Sequence, residues 1–139
     1  MTGPQKFTIP GRLPGLNEYT RACRASWHSG NGMKRDHTNR IAWIVRQANL
    51  ESYDSPVEVS FAWVEPNDRR DIDNITFGAK FILDALKESQ VIKDDNLKCV
   101  RRIFHAVAVD KSNPHIEVAI LPYERNRTVE FLPVRGLED

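Results

Sequence analysis

Apolar and polar residues alternate in several segments of this chain, and the alternation predicts strands. After Pro56, apolar residues at 57, 59, 61 and 63 alternate with Glu58, Ser60 and Ala62, which indicates a strand. Similar patterns predict strands over residues 6–10, 99–109 and 116–121. Because only a short polar segment around Asn113-Pro114 separates the last two, we expect them to pair as antiparallel neighbours.

Apolar residues three and four positions apart predict two helices. The first would begin at Asp36 or Thr38 and end near Ser52, and the second would begin with Asp73 as its N-cap and end near Glu88. The apolar stripe of the second helix consists of Ile75, Ala79, Ile82, Leu83 and Leu86. The predicted order is β-α-β-α-β-β, an α+β fold with a mixed sheet and helices packed on it.

The length of 139 residues fits one domain with a substantial core. We assign residues 1–121 to that domain and residues 122–139 to a C-terminal tail. Within the domain, residues 11–35 are rich in Arg, Gly and Ser, which predicts an irregular, basic and mobile arm.

Charge and cysteine usage indicate the surroundings of the protein. The net charge is only +1, but residues 1–47 carry eight Lys/Arg against two Asp/Glu, so a polyanion could bind there. An ordinary solvated surface explains this distribution equally well. Cys23 and Cys99 have no metal-ligand spacing, so we expect free thiols in a reducing compartment. With no long apolar segment in the sequence, we expect a cytoplasmic protein.

Acidic residues lie on both sides of the second predicted helix. Asp71 and Asp73 precede it, and Asp94 and Asp95 follow it. Clustered carboxylates repel one another, whereas Mg²⁺ takes carboxylate oxygens as ligands, so the pattern favours a metal site. Simpler alternatives remain open, because Asp73 could serve only as an N-cap and Asp94-Asp95 could belong only to a turn.

Basic residues near these acids are candidates for phosphate binding. Arg69 and Arg70 directly precede Asp71, which suggests a phosphate substrate beside a metal. Aromatic Tyr19 and Trp27 could stack on nucleic acid, or they could simply pack the loop. Further DNA-binding candidates in the basic arm are Arg21, Arg24, Lys34 and Arg35.

Helical phasing separates the second helix into two faces. At about 100° per residue, Asp73, Lys80 and Asp84 lie roughly opposite the apolar stripe. They could face a site, although Lys80 and Asp84 could also form a simple surface pair.

Three ordered segments resemble the signature of the RusA family of Holliday junction resolvases. They are Asp71-Ile72-Asp73-Asn74, then Lys80 with Ile82-Leu83-Asp84-Ala85-Leu86, then Val91-Ile92-Lys93-Asp94-Asp95. Ile9-Pro10 and Leu13-Pro14-Gly15-Leu16-Asn17 also resemble the opening of that family.

The resemblance implies roles for individual residues. Asp71, Asp73 and Asp95 match the metal-binding aspartates, with Asp94 as a further candidate, and Lys80 matches the essential lysine. Counting forward from Asn74 instead, this chain has three extra residues, and Phe77 stands at the lysine position.

The resemblance also implies an activity. It predicts a Mg²⁺-dependent endodeoxyribonuclease, with Mn²⁺ as a second usable metal, that cuts four-way DNA junctions by paired nicks as a homodimer. Three alternatives remain open: a non-catalytic module that binds branched DNA, a nuclease that acts on forks or flaps, and a structural or adaptor protein in which the acids serve only as caps and turns.

Overall fold

Four strands form one mixed sheet, and four helices accompany it in a computed structural model that describes residues 3–127. The elements in chain order are β1 (Gln5–Pro10), α1 (Leu16–Ala25), α2 (Trp27–Gln47), β2 (Val57–Glu65), α3 (Ile72–Thr76), α4 (Ala79–Glu88), β3 (Val100–Val109) and β4 (His115–Pro122). The predicted α+β class with a mixed sheet and packed helices is confirmed. The sequence predicts two helices where the structure has four.

The strand order is β1-β4-β2-β3, so the predicted pairing of the last two strands is wrong. β4 lies antiparallel to both β1 and β2, whereas β3 lies parallel to β2 at the edge. β4 buries Ile116, Val118 and Ile120, which suits a central strand, while β3 leaves Arg101 and Ile103 exposed. The crossover through α3 and α4 makes β2 and β3 parallel neighbours.

Residues 11–35 are largely helical, so the prediction of an irregular arm is wrong. α1 covers residues 16–25, and α2 begins at Trp27, about ten residues before the predicted start. The Ser26 hydroxyl caps α2 by accepting a hydrogen bond from the Ser29 backbone N–H at 2.9 Å. Gly30 is buried against Cys23 of α1, so this glycine permits close packing between the two helices.

The second predicted helix is divided into α3 and α4 around Phe77 and Gly78. Gly78 is buried, and a Cβ there would lie 3.1 Å from the Trp63 ring and 3.2 Å from Leu13 Cβ. The junction therefore approaches the core more closely than a larger residue would allow. α4 buries the expected apolar stripe, including Ile82 and Leu86, and Phe81 joins them in the core.

The chain folds back after α4, as a site uniting both acidic clusters requires. The backbone N–H of Val91 donates to the Leu86 carbonyl at 3.0 Å, and Val91 and Ile92 are buried in the core. Residues 93–99 then lead into β3.

Both cysteines are free, as predicted, and none of the helices in residues 3–127 is long and apolar enough to cross a membrane. Most of the predicted tail, from residue 128 onward, lies outside the described residues.

Candidate active site

Asp71 and Asp73 lie just beyond the end of β2, where the chain enters α3. The N-cap is Asp71 rather than the predicted Asp73, because the Asp71 carbonyl accepts the Ile75 N–H at 3.0 Å. The Asp71 side chain makes no capping hydrogen bond, and Asp73 lies in the first turn. Both are exposed, and neither carboxylate forms a hydrogen bond or an ion pair with any residue from 3 to 127. Capping therefore does not account for the carboxylate of either residue.

A nearly buried carboxylate fixes the approach to α3. Glu65, at the end of β2, accepts hydrogen bonds from Arg70 Nε and Nη2, each at 2.9 Å, and from Arg12 Nη2 at 2.8 Å. Burial by itself would raise the pKa of Glu65, but the hydrogen bonds and charges of Arg70 and Arg12 outweigh it and lower that pKa. Arg70 also donates to the Leu13 carbonyl at 3.1 Å. This geometry gives Arg70 a role in positioning the chain before Asp71, and its contact with DNA stays a prediction.

Asn74 connects the acidic segment to α1. Its Oδ1 accepts the Asn17 backbone N–H at 3.0 Å, in the first turn of α1. Gly15 also lies close to the Asn74 side chain. Asn74 therefore holds the N-terminus of α1, the helix that carries Arg21 and Arg24, beside Asp71 and Asp73.

Asp94 and Asp95 lie beside the C-terminal half of α4. Asp94 Oδ1 accepts the Asp95 backbone N–H at 2.8 Å and lies 3.2 Å from Lys87 Nζ. The Asp95 N–H and Lys87 lower the pKa of Asp94, and Asp94 raises the pKa of Lys87. Asp94 thus belongs to a turn and an ion pair, whereas Asp95 is exposed and forms no ion pair within the described part of the chain.

Lys80 is exposed on the first turn of α4 and has no ion-pair partner among residues 3–127. Phe77, the alternative lysine position, packs against Tyr19 and Phe81 with ring centroids 5.3 and 5.8 Å away. Position 77 is thus occupied by a packed aromatic ring, whereas Lys80 presents its amine to solvent. Asp84 is half-buried, with its Oδ2 3.7 Å from Lys34 Nζ of α2, so it is not the partner of Lys80.

The remaining DNA-binding candidates differ in their exposure. Arg69, Arg21, Arg24 and Arg35 are exposed and form no side-chain hydrogen bond or ion pair within the region described. Lys34 contacts Asp84. Tyr19 packs against Phe77 and Phe81, whereas Trp27 is 76% exposed.

The carboxylates of Asp71, Asp73 and Asp95 suit a hard cation, although the described residues do not bring all three together at one point. Carboxylate oxygens are the ligands that Mg²⁺ prefers, and Asp71, Asp73 and Asp95 carry no competing ion pair in the described chain. Among residues 3–127, however, no three His, Cys, Asp or Glu side chains are grouped closely enough to hold one cation. Carboxylates repel without a counter-ion, and sharing of one cation by these three stays a prediction.

Sequence reasoning missed three positioning residues. In the sequence, Glu65 resembles the ordinary polar end of an apolar strand. Asn74 belongs to a motif that predicts no separate role for it, and Lys87 resembles a surface residue. Only the spacing of Lys87, seven residues after Lys80 and three after Asp84, could have placed it on the same helical face.

Comparison with known proteins identifies the family. No curated protein matches the sequence. A family model described as "Endodeoxyribonuclease RusA" matches residues 30–121, more than half of the chain. That range contains the Asp71–Asn74 segment, α4 and the Asp94-Asp95 turn. The chain therefore belongs to the RusA family of endodeoxyribonucleases.

Proposed function

We propose that this protein is a Mg²⁺-dependent, structure-selective endodeoxyribonuclease that resolves four-way DNA junctions by paired nicks in recombination and repair. The observation that carries the proposal is the pair of exposed carboxylates at Asp71 and Asp73, which serve neither as side-chain caps nor in ion pairs within residues 3–127. They lie within the segment that matches the nuclease family.

Each residue has a proposed role. Asp71, Asp73 and Asp95 would hold the metal, and a bound Mg²⁺ or Mn²⁺ would supply an activated water and neutralise the scissile phosphate. The Lys80 ammonium is free to stabilise charge that develops on the phosphate. Arg70 positions the Asp71 segment through Glu65.

Other basic residues would bind the DNA backbone without reading its sequence. Arg69 directly precedes the acidic segment, and Arg21 and Arg24 extend from the helix that Asn74 anchors there. Lys34 and Arg35 provide further positive charge on α2.

The central experiment compares Asp73→Asn with Asp68→Asn on a synthetic four-way junction. Asp73→Asn should reduce nicking about 100-fold or more, because a neutral amide is a poor ligand for Mg²⁺. Asp68 is an exposed acid five residues earlier, so Asp68→Asn controls for the loss of one local charge and should nick normally. Nicking by the wild type should stop in EDTA and return with Mg²⁺. Equal activity of the two variants would refute the assigned role of Asp73.

A panel of substrates separates this proposal from the two alternatives that bind branched DNA. Faster nicking of forks or flaps than of junctions would indicate a nuclease for other branched DNA. The second candidate is a module that binds branched DNA without cutting it. Binding of the junction with no nicking in either Mg²⁺ or Mn²⁺ would support that module.

Paired nicking requires two active sites, and the pseudo-two-fold symmetry of a four-way junction matches a C2 homodimer. Sedimentation should therefore give twice the mass of one chain for the free protein, and the mass of two chains plus one junction for the complex. A monomer that binds the junction in a one-to-one complex would contradict this part of the proposal.

A further inference from the structure

A cleft of about 710 Å³ lies between α2 and α4, within the volume range of ligand sites in proteins. Along α2, Trp27, Lys34 and Thr38 face it at helical spacing. From Trp27 to Thr38 the helix rises about 16 Å. The wall formed by α4 consists of Asp84, Lys87 and Glu88.

One end of the cleft carries an exposed aromatic side chain. Trp27 is 76% exposed, and its ring lies edge to face with the neighbouring His28 ring, with centroids 5.2 Å apart. Tyr19, by contrast, packs on the core side of α1. A solvated Trp at the rim of a cleft offers a flat surface on which a planar ring can stack.

Two residues that line the cleft carry polar atoms with no hydrogen-bond partner among the described residues. Thr38 is 4% exposed, and its hydroxyl has no hydrogen-bond partner in the described structure. Asp84 Oδ2 is also buried without a hydrogen bond, since Lys34 Nζ, 3.7 Å away, is beyond hydrogen-bonding distance. Buried polar atoms are normally satisfied, so a ligand donor would satisfy these two once their side chains turn toward the cleft.

Positive charge lies between Trp27 and these two residues. Lys34 and Arg35 line the cleft from α2, and Arg35 makes no ion pair within residues 3–127. A ligand that extends along the cleft would therefore meet a stacking surface, then cations, then a carboxylate and a hydroxyl. Single-stranded nucleic acid has the same succession of planar rings and phosphates.

We propose that this cleft binds a short single-stranded segment of DNA, a few nucleotides long. One base stacks on Trp27, the phosphates contact Lys34 and Arg35, and a second base directs an exocyclic amine to Asp84 and Thr38. Cytosine, adenine and guanine carry such an amine and thymine does not, so the cleft favours oligo-dC over oligo-dT. The choice of DNA as ligand rests on the proposed function, whereas the cleft does not depend on nuclease activity.

The test measures binding of fluorescein-labelled dC6 and dT6 by anisotropy in EDTA, with folding checked by circular dichroism. Trp27→Ala should weaken binding of dC6 about tenfold, the usual loss when one stacked base loses its aromatic partner. The matched control is Trp43→Ala, because Trp43 is 62% exposed on the same helix but does not line the cleft. Thr38→Val, which preserves the shape of the side chain, should reduce the preference for dC6 over dT6.

Equal binding by wild type and Trp27→Ala, or equal losses in the two Trp variants, would overturn the proposal. Thr38→Val with an unchanged base preference would overturn the role of Thr38. These results can be told apart from a failure of the proposed function. A protein that nicks junctions but binds dC6 independently of Trp27 refutes only the cleft. A protein that binds dC6 through Trp27 but never nicks refutes only the nuclease.

Discussion

Glu65 fixes the segment of the chain that leads into Asp71 and α3. It is 3% exposed, and its hydrogen bonds hold Arg12 and Arg70 in place. Glu65→Gln should lower the free energy of unfolding by about 3 kcal/mol, because it leaves two arginines facing a neutral group in a largely buried position. Urea denaturation at neutral pH measures this loss.

The pH dependence of that loss gives a second test. The pKa of Glu65 is lower in the folded protein than its usual value, so its stabilisation is complete above the unfolded-state pKa of about 4.3 and disappears as the pH falls through the folded-state pKa. The difference between wild type and Glu65→Gln should therefore shrink in acid. Glu88→Gln, at an exposed position on α4, should differ little from wild type at any pH. A constant gap between wild type and Glu65→Gln down to pH 3 would contradict this account.

The sequence was sufficient to select the candidate acids, but not to find the residues that hold them in position. Asp71 and Asp73 could be selected because a second pair of acids follows the same predicted helix and because they match a family motif. The burial of Arg70 could not be predicted, because its partner Glu65 lies at the end of a strand whose direction depends on the whole sheet. Exposure of a long charged side chain is decided by such tertiary contacts rather than by local pattern.

Close packing between α1 and α2 depends on Gly30 but not on Gly32. A Cβ at Gly30 would lie 2.5 Å from Cys23 Sγ and 3.2 Å from Cys23 Cα, whereas a Cβ at Gly32 would meet nothing within 4 Å. Gly32→Ala should raise the free energy of unfolding by roughly 0.5–1 kcal/mol through helix propensity. Gly30→Ala should lower it by about 1 kcal/mol, because the overpacking outweighs the same gain. Thermal denaturation of the two variants measures these shifts, and shifts of equal sign would show that the contact is unimportant.

Regular patterns predicted most elements, but not where they end or whether they are interrupted. The alternation after Pro56 gave β2, and the apolar stripe gave α4. The first half of α2 is polar and contains two glycines, so its helical state depends on packing against α1 and could not be read from local preference. The interruption between α3 and α4 likewise does not follow from the apolar stripe, and Gly78 at that point packs close to Trp63, fifteen residues earlier in the chain.

The whole molecule should bind DNA through local rather than overall charge, since its net charge is only +1. The logarithm of affinity for a four-way junction should fall linearly with the logarithm of salt concentration. The double variant Arg21→Gln/Arg24→Gln should make that slope shallower by about two, because each residue contributes roughly one phosphate contact. Arg46→Gln, in the last turn of α2, serves as the control. An unchanged slope in the double variant would exclude α1 from the DNA surface.

Strand order is the property of the whole molecule that sequence could least predict. The short connection from β3 to β4 favoured a hairpin, yet β4 crosses beyond β2 to pair with β1. The choice depends on which strand buries more apolar area at the centre of the sheet, a comparison among segments far apart in the chain.

The central position of β4 also affects how the protein is made. Gln5 pairs with Ile120, and Ile120 pairs in turn with Val59, so the strand synthesised last lies between two strands synthesised earlier. On the ribosome, β1 and β2 must remain without their common partner until about residue 122 has emerged. Asp71 and Asp73 are thus synthesised well before the sheet that positions them is complete. A nascent chain halted before β4 would expose unpaired strand edges, the kind of surface that chaperones protect from aggregation.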